Sequence, residues 1–261
     1  MDTPARREPA EYSPINPLPR LFAKHFADGV VVRAETLGTC WRAIRIHCPD
    51  MPRLAYAPGQ HVRIEIRDPF SLYGILRPVE TMRTYTIWDW DRKELAFELR
   101  AHLYRDGGDG IGFNWVREIR SGDRVRFWGP QGDFLVGSAP RHLFVGEETA
   151  SAAFGPMLRA IRMGEESIAI LEAESPEQVL PLAVAHRDGR RVYRHGASPV
   201  ASGRLLQGVP YARIPPQNTL AYVAGEARTC QMVRMHLIKQ GWEPARIQVK
   251  PFWAPGKRGL H

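Results

Sequence analysis

The stretch RTYTIWDW, residues 83–90, packs one arginine, one tyrosine, two threonines and two tryptophans into a short segment. β-Branched and aromatic residues of this kind favour a strand. Arg83 is suited to bind a phosphate, Tyr85 offers a flat face to a heteroaromatic ring, and Thr86 can donate a hydrogen bond to a ring nitrogen or carbonyl. An ordinary barrel strand with Tyr85 in its core has the same pattern, so this stretch alone leaves both interpretations open.

Further strand signals lie on both sides of this stretch. In VRIEIRD, residues 62–68, apolar and charged residues alternate with the period of a half-buried strand. Short apolar runs separated by glycine, proline and aspartate follow at AIRI (43–46), LAFEL (95–99) and DRVRFW (123–128). This spacing is typical of a small antiparallel β-barrel, to which we assign residues 21–138. Residues 1–20, rich in proline and arginine without an apolar period, are predicted to form a flexible leader.

The pattern changes in the second half of the chain. HLFVG (142–146), SIAILEA (167–173) and TLAYVAG (219–225) predict buried strands, and residues 226–241 predict a helix that stops at Gly241. Another helical pattern includes Phe154 and Met157, and Pro156 favours a start near Phe154 or Gly155. Strands that alternate with helices predict a parallel α/β sheet covered on both faces, which we assign to residues 139–261.

Composition and charge narrow the class of protein. With 44% hydrophobic and 25% charged residues, the 261-residue chain has the composition of an ordinary globular protein. No stretch is apolar enough to span a membrane or to form a secretory signal, and we expect a cytoplasmic protein. Three cysteines without a C-x-x-C pair predict neither a disulfide framework nor a zinc site. The net charge of +8 favours anionic partners, but we find no nucleic-acid reader module.

Motifs of several common catalytic classes are missing. The sequence has no Walker phosphate loop, no H-E-x-x-H, no G-x-S-x-G elbow and no G-x-G-x-x-G between a strand and a helix. The histidines are scattered without metal-ligand spacing, so we predict no protein-bound metal. The glycine-rich DGGDGIGFNW, residues 106–115, precedes a short helical VREI; it is typical of an anion-binding loop at a helix N-terminus, or of a simple hairpin tip.

An ordered series of motifs gives a more specific signal. RTYT (83–86) is followed by LAFELRAH (95–102), GIGFNW (110–115), SGDRVRFWGPQG (121–132), HLFVGEETA (142–150), YVAGEA (222–227) and PFWAPGKRG (251–259). This series resembles the siderophore-interacting protein family, a branch of the ferredoxin-reductase-like flavoproteins, from about residue 27 to the C-terminus. The resemblance implies an N-terminal barrel that binds FAD and a C-terminal α/β domain that binds NADPH or NADH.

The resemblance also implies an activity and a set of site residues. A hydride passes from the nicotinamide to the flavin, and single electrons then pass to ferric iron in a siderophore, with Tyr85 and Thr86 as the catalytic residues. The residues expected at the FAD are Arg83, Tyr85, Thr86, Ile87, Trp88, His102, Gly110, Ile111, Gly112, Asn114, Trp115 and Trp253. Those expected at the nicotinamide cofactor are Gly146, Glu148, Thr149, Ala150, Gly225 and Glu226. Lys257 and Arg258 are expected to attract an acidic ferric chelate, and a monomer is the default.

The sequence departs from the family pattern at the phosphate end of the flavin site. The family's R-x-Y-T-x-R has its second arginine replaced by Trp88, its G-P-A-S-x-W has the serine replaced by Phe113, and its G-P-R-G has Gln131. Two alternatives therefore stay open. One is a redox-silent family member that binds a siderophore or another acidic aromatic ligand. The other is a flavin oxidoreductase with a non-iron acceptor. The basic Arg190, Arg191 and Arg194 suit either a 2′-phosphate contact or a solvated loop, so NADH and NADPH are not separated.

Overall fold

The structure is a computed structural model that describes residues 26–67, 81–103, 110–182, 189–208 and 215–257. The predicted leader and Arg258 lie outside the described residues. The chain divides into two compact units, Met1–Gly132 and Asp133–His261. This division falls a few residues before the boundary expected at 138, because Phe134 and Val136 already pack into the core of the second unit.

The first unit contains a closed barrel of six strands in the order β1-β2-β5-β4-β3-β6, and every neighbouring pair is antiparallel. The strands are β1 (Phe26–Leu37), β2 (Trp41–His47), β3 (His61–Glu65), β4 (Met82–Asp91), β5 (Ala96–His102) and β6 (Arg124–Gln131). One helix, α1 (Ile111–Glu118), lies between β5 and β6 in the chain. The predicted antiparallel barrel is confirmed.

Alternate side chains of these strands fill the barrel core. The core includes Val62 and Ile64 of β3, Ile87 of β4, and Phe97 and Leu99 of β5, all fully buried. The pairing of β4 with β5 shifts register between Ile87 and Asp89, which is a β-bulge. Because of this bulge, Ile87 and the adjacent Trp88 are both buried, which a regular strand exposed on one face would not allow.

The second unit contains a five-stranded parallel sheet in the order β11-β10-β7-β8-β9. Its strands are β7 (Arg141–Glu147), β8 (Glu166–Ala173), β9 (Gly189–Tyr193), β10 (Thr219–Glu226) and β11 (Ile247–Trp253). Its helices are α2 (Ser151–Arg159), α3 (Gly203–Gly208) and α4 (Ala227–Lys239). Helix α2 packs on one face of the sheet, and α3 and α4 pack on the other. The predicted parallel α/β sheet covered on both faces is confirmed.

Helix α2 begins earlier than its proline predicts. It starts at Ser151 and keeps Pro156 in its interior, so the predicted start near Phe154 is wrong. A proline at this position removes only its own N–H from the helix ladder. Eight of the nine α2 residues are buried, and this packing outweighs the lost hydrogen bond.

The described helices are too short or too polar to cross a membrane.

Candidate functional site

Tyr85 on β4 packs against helix α1. Its hydroxyl donates a hydrogen bond to the Gly112 carbonyl oxygen at 3.0 Å, and its ring lies 5.1 Å from the ring of Trp115, centroid to centroid. Burial raises the pKa of Tyr85 far above its usual value, and the positive charge of Arg83 opposes that rise only in part. Tyr85 is therefore a neutral, oriented ring at the start of α1.

Gly112 lets α1 approach β4 closely. A Cβ atom at this position would lie 2.9 Å from Cγ of Arg83 and 3.2 Å from the Tyr85 hydroxyl oxygen. Helix α1 is capped by Gly110, which has no side chain to bond the N–H groups of the first turn. Free first-turn N–H groups and a nearby arginine are the groups that bind a phosphate. We call Arg83, Tyr85, Gly112 and Trp115 the barrel cluster.

Carboxylates meet at the carboxyl edge of the parallel sheet in the second unit. This strand-end cluster consists of Glu147, Glu148, Glu172, Glu174, Glu226 and Arg194. Parallel strands bring their carboxyl ends to one edge, which is where open α/β sheets bind ligands. In this sheet β8 and β9 lie on one side of β7, whereas β10 and β11 lie on the other side. The strand order therefore reverses between β7 and β10, and we call this place the switch point.

Glu147, the last residue of β7, lies at that switch point. Its carboxylate accepts hydrogen bonds from the Thr149 N–H at 3.0 Å, from the Thr149 hydroxyl, and from the Trp253 indole N–H at 3.0 Å. Gly225 has φ +125°, and a Cβ there would lie 2.7 Å from a Glu147 carboxylate oxygen. Burial, followed by the charge of Glu148, raises the pKa of Glu147 to about 8, although the three hydrogen bonds oppose that rise.

Glu148 is not a solvated loop carboxylate. It is 4% exposed and forms a bidentate ion pair with Arg194, one contact of which is 2.6 Å. Arg194 is itself 3% exposed, and Glu172 and Glu174 lie 3.6 and 3.7 Å from its guanidinium nitrogens. A planar guanidinium with several donors suits such a shared arrangement. The charge of Arg194 is therefore paired with Glu148 and surrounded by carboxyl groups of its own chain.

Glu226 caps helix α4 at the end of β10. One carboxylate oxygen accepts hydrogen bonds from the Thr229 N–H at 2.8 Å and from the Ala201 N–H at 3.2 Å. The other oxygen is buried and accepts no hydrogen bond from any residue that the structure describes. Burial would raise the pKa of Glu226, but its backbone hydrogen bonds outweigh burial and lower it. Glu226 is thus a charged acceptor at the second strand end of the switch point.

Comparison with protein families gives two adjacent matches. Residues 139–256 match the siderophore-interacting protein model, and residues 73–134 match the siderophore-interacting FAD-binding domain model. The two matches together span more than two thirds of the chain.

The chain belongs to the siderophore-interacting protein family. The FAD-binding family model supports FAD as a cofactor of this family member and supports a flavin-dependent oxidoreductase. A comparison with curated proteins gives no match.

Solved structures share the fold of this siderophore-interacting protein. A siderophore utilization protein from T. fusca has a TM-score of 0.78 and 19% identity, covering 90% of this chain and 95% of its own. A siderophore-interacting protein from Aeromonas hydrophila has a TM-score of 0.75 and 21% identity, with coverages of 89% and 93%. A ferredoxin NADP+ reductase from Neisseria gonorrhoeae, solved with FAD and NADP bound, has a TM-score of 0.67 and 13% identity, with coverages of 88% and 99%. The ferredoxin-reductase-like fold is confirmed.

The barrel cluster fits the FAD expected of this family. Arg83 supplies a fixed positive charge, the α1 N-terminus supplies N–H groups, and Gly112 leaves the space for Arg83 to lie against the helix. Gly110 and Ile111 stand at this N-terminus, and Asn114 makes the first N–H bond of the helix, to the Gly110 carbonyl at 3.0 Å. The helix thus begins inside the glycine-rich stretch, several residues before the VREI segment predicted to form it.

Other residues expected at the FAD are placed differently. Ile87 has its side chain in the barrel core, its N–H donates to the Gln60 carbonyl, and its own carbonyl accepts from Tyr56. Thr86 is half-buried opposite His61 of β3. His102 ends β5 and packs edge-on against Trp41, with ring centroids 4.9 Å apart. Thr86 therefore lies on β4 and His102 at the end of β5. Ile87 has a structural role in the barrel core.

Trp88 occupies the place of the family's second arginine, and an arginine lies directly over it. The Arg100 guanidinium carbon is 3.9 Å from the Trp88 ring centroid, and Arg100 also bonds Glu98 at 2.9 Å. Trp88 is only 6% exposed, and the Arg100 guanidinium stacks on its ring as a cationic partner. A ligand ring stacked on this face of Trp88 would have to displace Arg100.

The residues expected at the nicotinamide lie together at the switch point. Gly146, the next-to-last residue of β7, is packed so closely that a Cβ would lie 2.5 Å from both the Ala150 Cβ and the Ala224 carbonyl oxygen. Thr149 and Ala150 form a short 3-10 turn that leads into α2. Gly225 and Glu226 end β10 beside them. Glu147 was not among the predicted site residues; its only signal in the sequence is its position beside Glu148 at the end of β7.

The C-terminal residues have separate surroundings. Trp253 ends β11, pairs with Glu226 in the sheet register and donates to Glu147. Lys257 is exposed, and its N–H donates to the Ala254 carbonyl at 3.2 Å in a turn. Lys257 is therefore accessible to an acidic ligand.

Proposed function

We propose that this siderophore-interacting protein is an NAD(P)H-dependent flavoprotein that reduces a ferric siderophore and thereby releases Fe(II). The arrangement of Arg83 and Tyr85 against the N-terminus of α1 is the observation that carries the proposal. It combines a cation, free helical N–H groups and a neutral aromatic ring, which are the features a flavin dinucleotide needs. Bound flavin would supply the conversion between the two-electron nicotinamide donor and the one-electron iron acceptor.

Each unit contributes different residues to this activity. In the first unit, Arg83 would bind phosphate oxygens, and Tyr85, whose ring is fixed by its hydroxyl bond to Gly112, would orient the isoalloxazine by stacking. In the second unit, Glu147 holds the Trp253 indole, and Gly146 and Gly225 allow the strand ends and Glu147 to pack closely at the switch point. Thr86 and Trp253 remain the candidates for contact with the redox-active ring. The exposed Lys257 and the net charge of +8 favour an acidic ferric chelate as the electron acceptor.

The direct test is the visible absorption spectrum of the purified protein under anaerobic conditions. We expect flavin bands that bleach on addition of NADH or NADPH and return when a ferric tris-catecholate chelate is added, with Fe(II) trapped by a colorimetric chelator. Flavin bands that bleach but do not return with the ferric chelate would refute the iron acceptor and leave the flavoprotein. A protein that shows no flavin bands and no response to FAD would refute both parts and favour the redox-silent ligand-binding alternative.

A variant pair connects this test to the barrel cluster. We expect Arg83→Gln to weaken FAD binding by about 10- to 100-fold, because a hydrogen bond to a charged group contributes about 1.5–3 kcal/mol. The matched control is Arg53→Gln in the same unit, where the arginine is 86% exposed and pairs only weakly with Asp50 at 3.7 Å. Equal FAD affinities for the two variants, measured by titration calorimetry, would exclude Arg83 from the flavin site.

A further inference from the structure

Arg194 is the buried arginine at the end of β9, and its charge is not available to a ligand. Its two terminal nitrogens bond both oxygens of Glu148; Glu172 approaches one of these nitrogens at 3.6 Å, and Glu174 approaches Nε at 3.7 Å. Burial raises the pKa of Glu172 and its side chain is inaccessible, so the negative charge that a ligand can meet at this place is that of the partly exposed Glu174. A dianionic phosphate brought here would meet the Glu174 carboxylate without a free cation from Arg194.

The position of these carboxylates in the sheet bears on which nicotinamide cofactor the protein binds. β8 follows β7 in the chain and lies beside it on the side away from the switch point. In dinucleotide-binding α/β sheets, an acidic residue about 20 residues after the first strand turn binds the adenosine ribose 2′-hydroxyl, whereas an arginine accommodates a 2′-phosphate. Glu172 and Glu174 occupy the end of β8, 24 to 28 positions beyond the turn at Gly146–Glu148.

The two carboxylates differ in their access to a ligand. One oxygen of the fully buried Glu172 accepts no hydrogen bond from any described residue, while the other accepts from the Ser202 hydroxyl at 2.6 Å. The Glu174 side chain is 31% exposed, and one of its oxygens accepts the Gly196 N–H at 2.5 Å. Glu174 is therefore oriented by the backbone while it still faces solvent.

We propose that this siderophore-interacting protein selects NADH over NADPH, with Glu174 as the specificity-determining residue that accepts a ribose 2′-hydroxyl and repels a 2′-phosphate. This proposal rests on the proposed function, since it concerns the donor of the same reaction. The hydroxyl is a hydrogen-bond donor that a carboxylate satisfies, whereas the phosphate places like charges side by side. The exposed Arg191 on β9 is the competing feature, because its charge would instead favour the phosphate.

The test measures binding and turnover separately. We expect NAD+ to bind the purified protein at least about tenfold more tightly than NADP+ in titration calorimetry, since like charges placed together cost several kcal/mol. The kcat/KM for anaerobic flavin bleaching should favour NADH over NADPH to a similar extent. The variant Glu174→Gln keeps an acceptor for the Gly196 N–H and removes the charge, so we expect it to lower both NADH preferences about three- to tenfold.

Control variants separate the charge of Glu174 from general effects. Glu166→Gln removes a carboxylate from the opposite end of the same strand, where its side chain is 71% exposed, and should leave the preference unchanged. Arg191→Gln should also leave NADP+ binding unchanged. Equal or tighter binding of NADP+ to the unmodified protein would overturn the proposal. In that case, flavin bleaching by either cofactor would leave the proposed function standing. A separate outcome, in which neither nucleotide binds, would overturn both the NADH preference and the proposed function.

Discussion

Replacement of Glu147 by glutamine removes a titratable group from the switch point of the sheet and keeps the shape of the protonated side chain. The pKa of Glu147 rises from the ordinary value of 4.5 to about 8 because of burial and the neighbouring charge of Glu148. Between these two pH values the folded protein retains a proton that the unfolded chain has released. The free energy of unfolding therefore decreases as pH rises through this window and is constant outside it.

The size of this change in the free energy of unfolding follows from the shift in the pKa of Glu147. At 1.36 kcal/mol per pKa unit, the full displacement corresponds to about 5 kcal/mol of stability lost between pH 4.5 and pH 8. Because Glu147→Gln lacks the proton equilibrium, this loss is absent from the variant. We expect the stability difference between the unmodified protein and Glu147→Gln to change by at least about 2 kcal/mol in favour of the variant between pH 5 and pH 8.

Urea unfolding at pH 5, 6, 7 and 8, followed by tryptophan fluorescence, measures this difference. The contributions of the other titrating groups occur in both proteins, including His142, whose pKa is lowered by burial, and therefore cancel. Glu166→Gln serves as the control, since its side chain is exposed at the amino end of β8. Parallel stability curves for the unmodified protein and Glu147→Gln would show that Glu147 is ionised across this range and would refute the reasoning.

Two further predictions concern the barrel cluster and the buried arginine. Gly112→Ala should lower FAD affinity at least about tenfold by displacing the Arg83 side chain, although alanine is the better helix former by about 1 kcal/mol. FAD affinity is measured by titration calorimetry. The control is Gly203→Ala, where a Cβ meets nothing within 4 Å, and it should leave FAD binding unchanged. Arg194→Met should destabilise the fold by about 3–5 kcal/mol in urea unfolding, because it leaves the buried Glu148 charge unpaired, and a loss below about 1 kcal/mol would contradict the buried ion pair.

Periodicity in the sequence predicted the barrel because its strands are half-buried. VRIEIRD alternates apolar and charged residues, and the structure places Val62 and Ile64 in the core. The same method could not predict the bulge in β4, because a bulge depends on how two strands pair across the barrel. Trp88 was therefore expected to face a ligand, whereas the bulge buries it beneath Arg100.

The parallel sheet was predicted only in its central strands. β7, β8 and β10 are continuous apolar runs because both faces of the sheet are covered. β9 and β11 are the two edge strands and carry weaker patterns: GRRVY has few apolar residues, and IQVKPFW contains Pro251. An edge strand tolerates both features because one side has no strand partner.

The pairing of charges could not be predicted, because it depends on which strand ends the fold brings together. From the sequence, Arg194 suited either a 2′-phosphate contact or a solvated loop and Glu148 was expected at the nicotinamide cofactor, and each interpretation treated the residue alone. In the structure they neutralise each other, and the neighbouring Glu172 and Glu174 leave the end of β8 acidic in a chain whose net charge is +8. The proposed attraction of an anionic chelate is compatible with the proposed repulsion of a 2′-phosphate, since the first depends on the summed charge of the protein and the second on the local charge of Glu174.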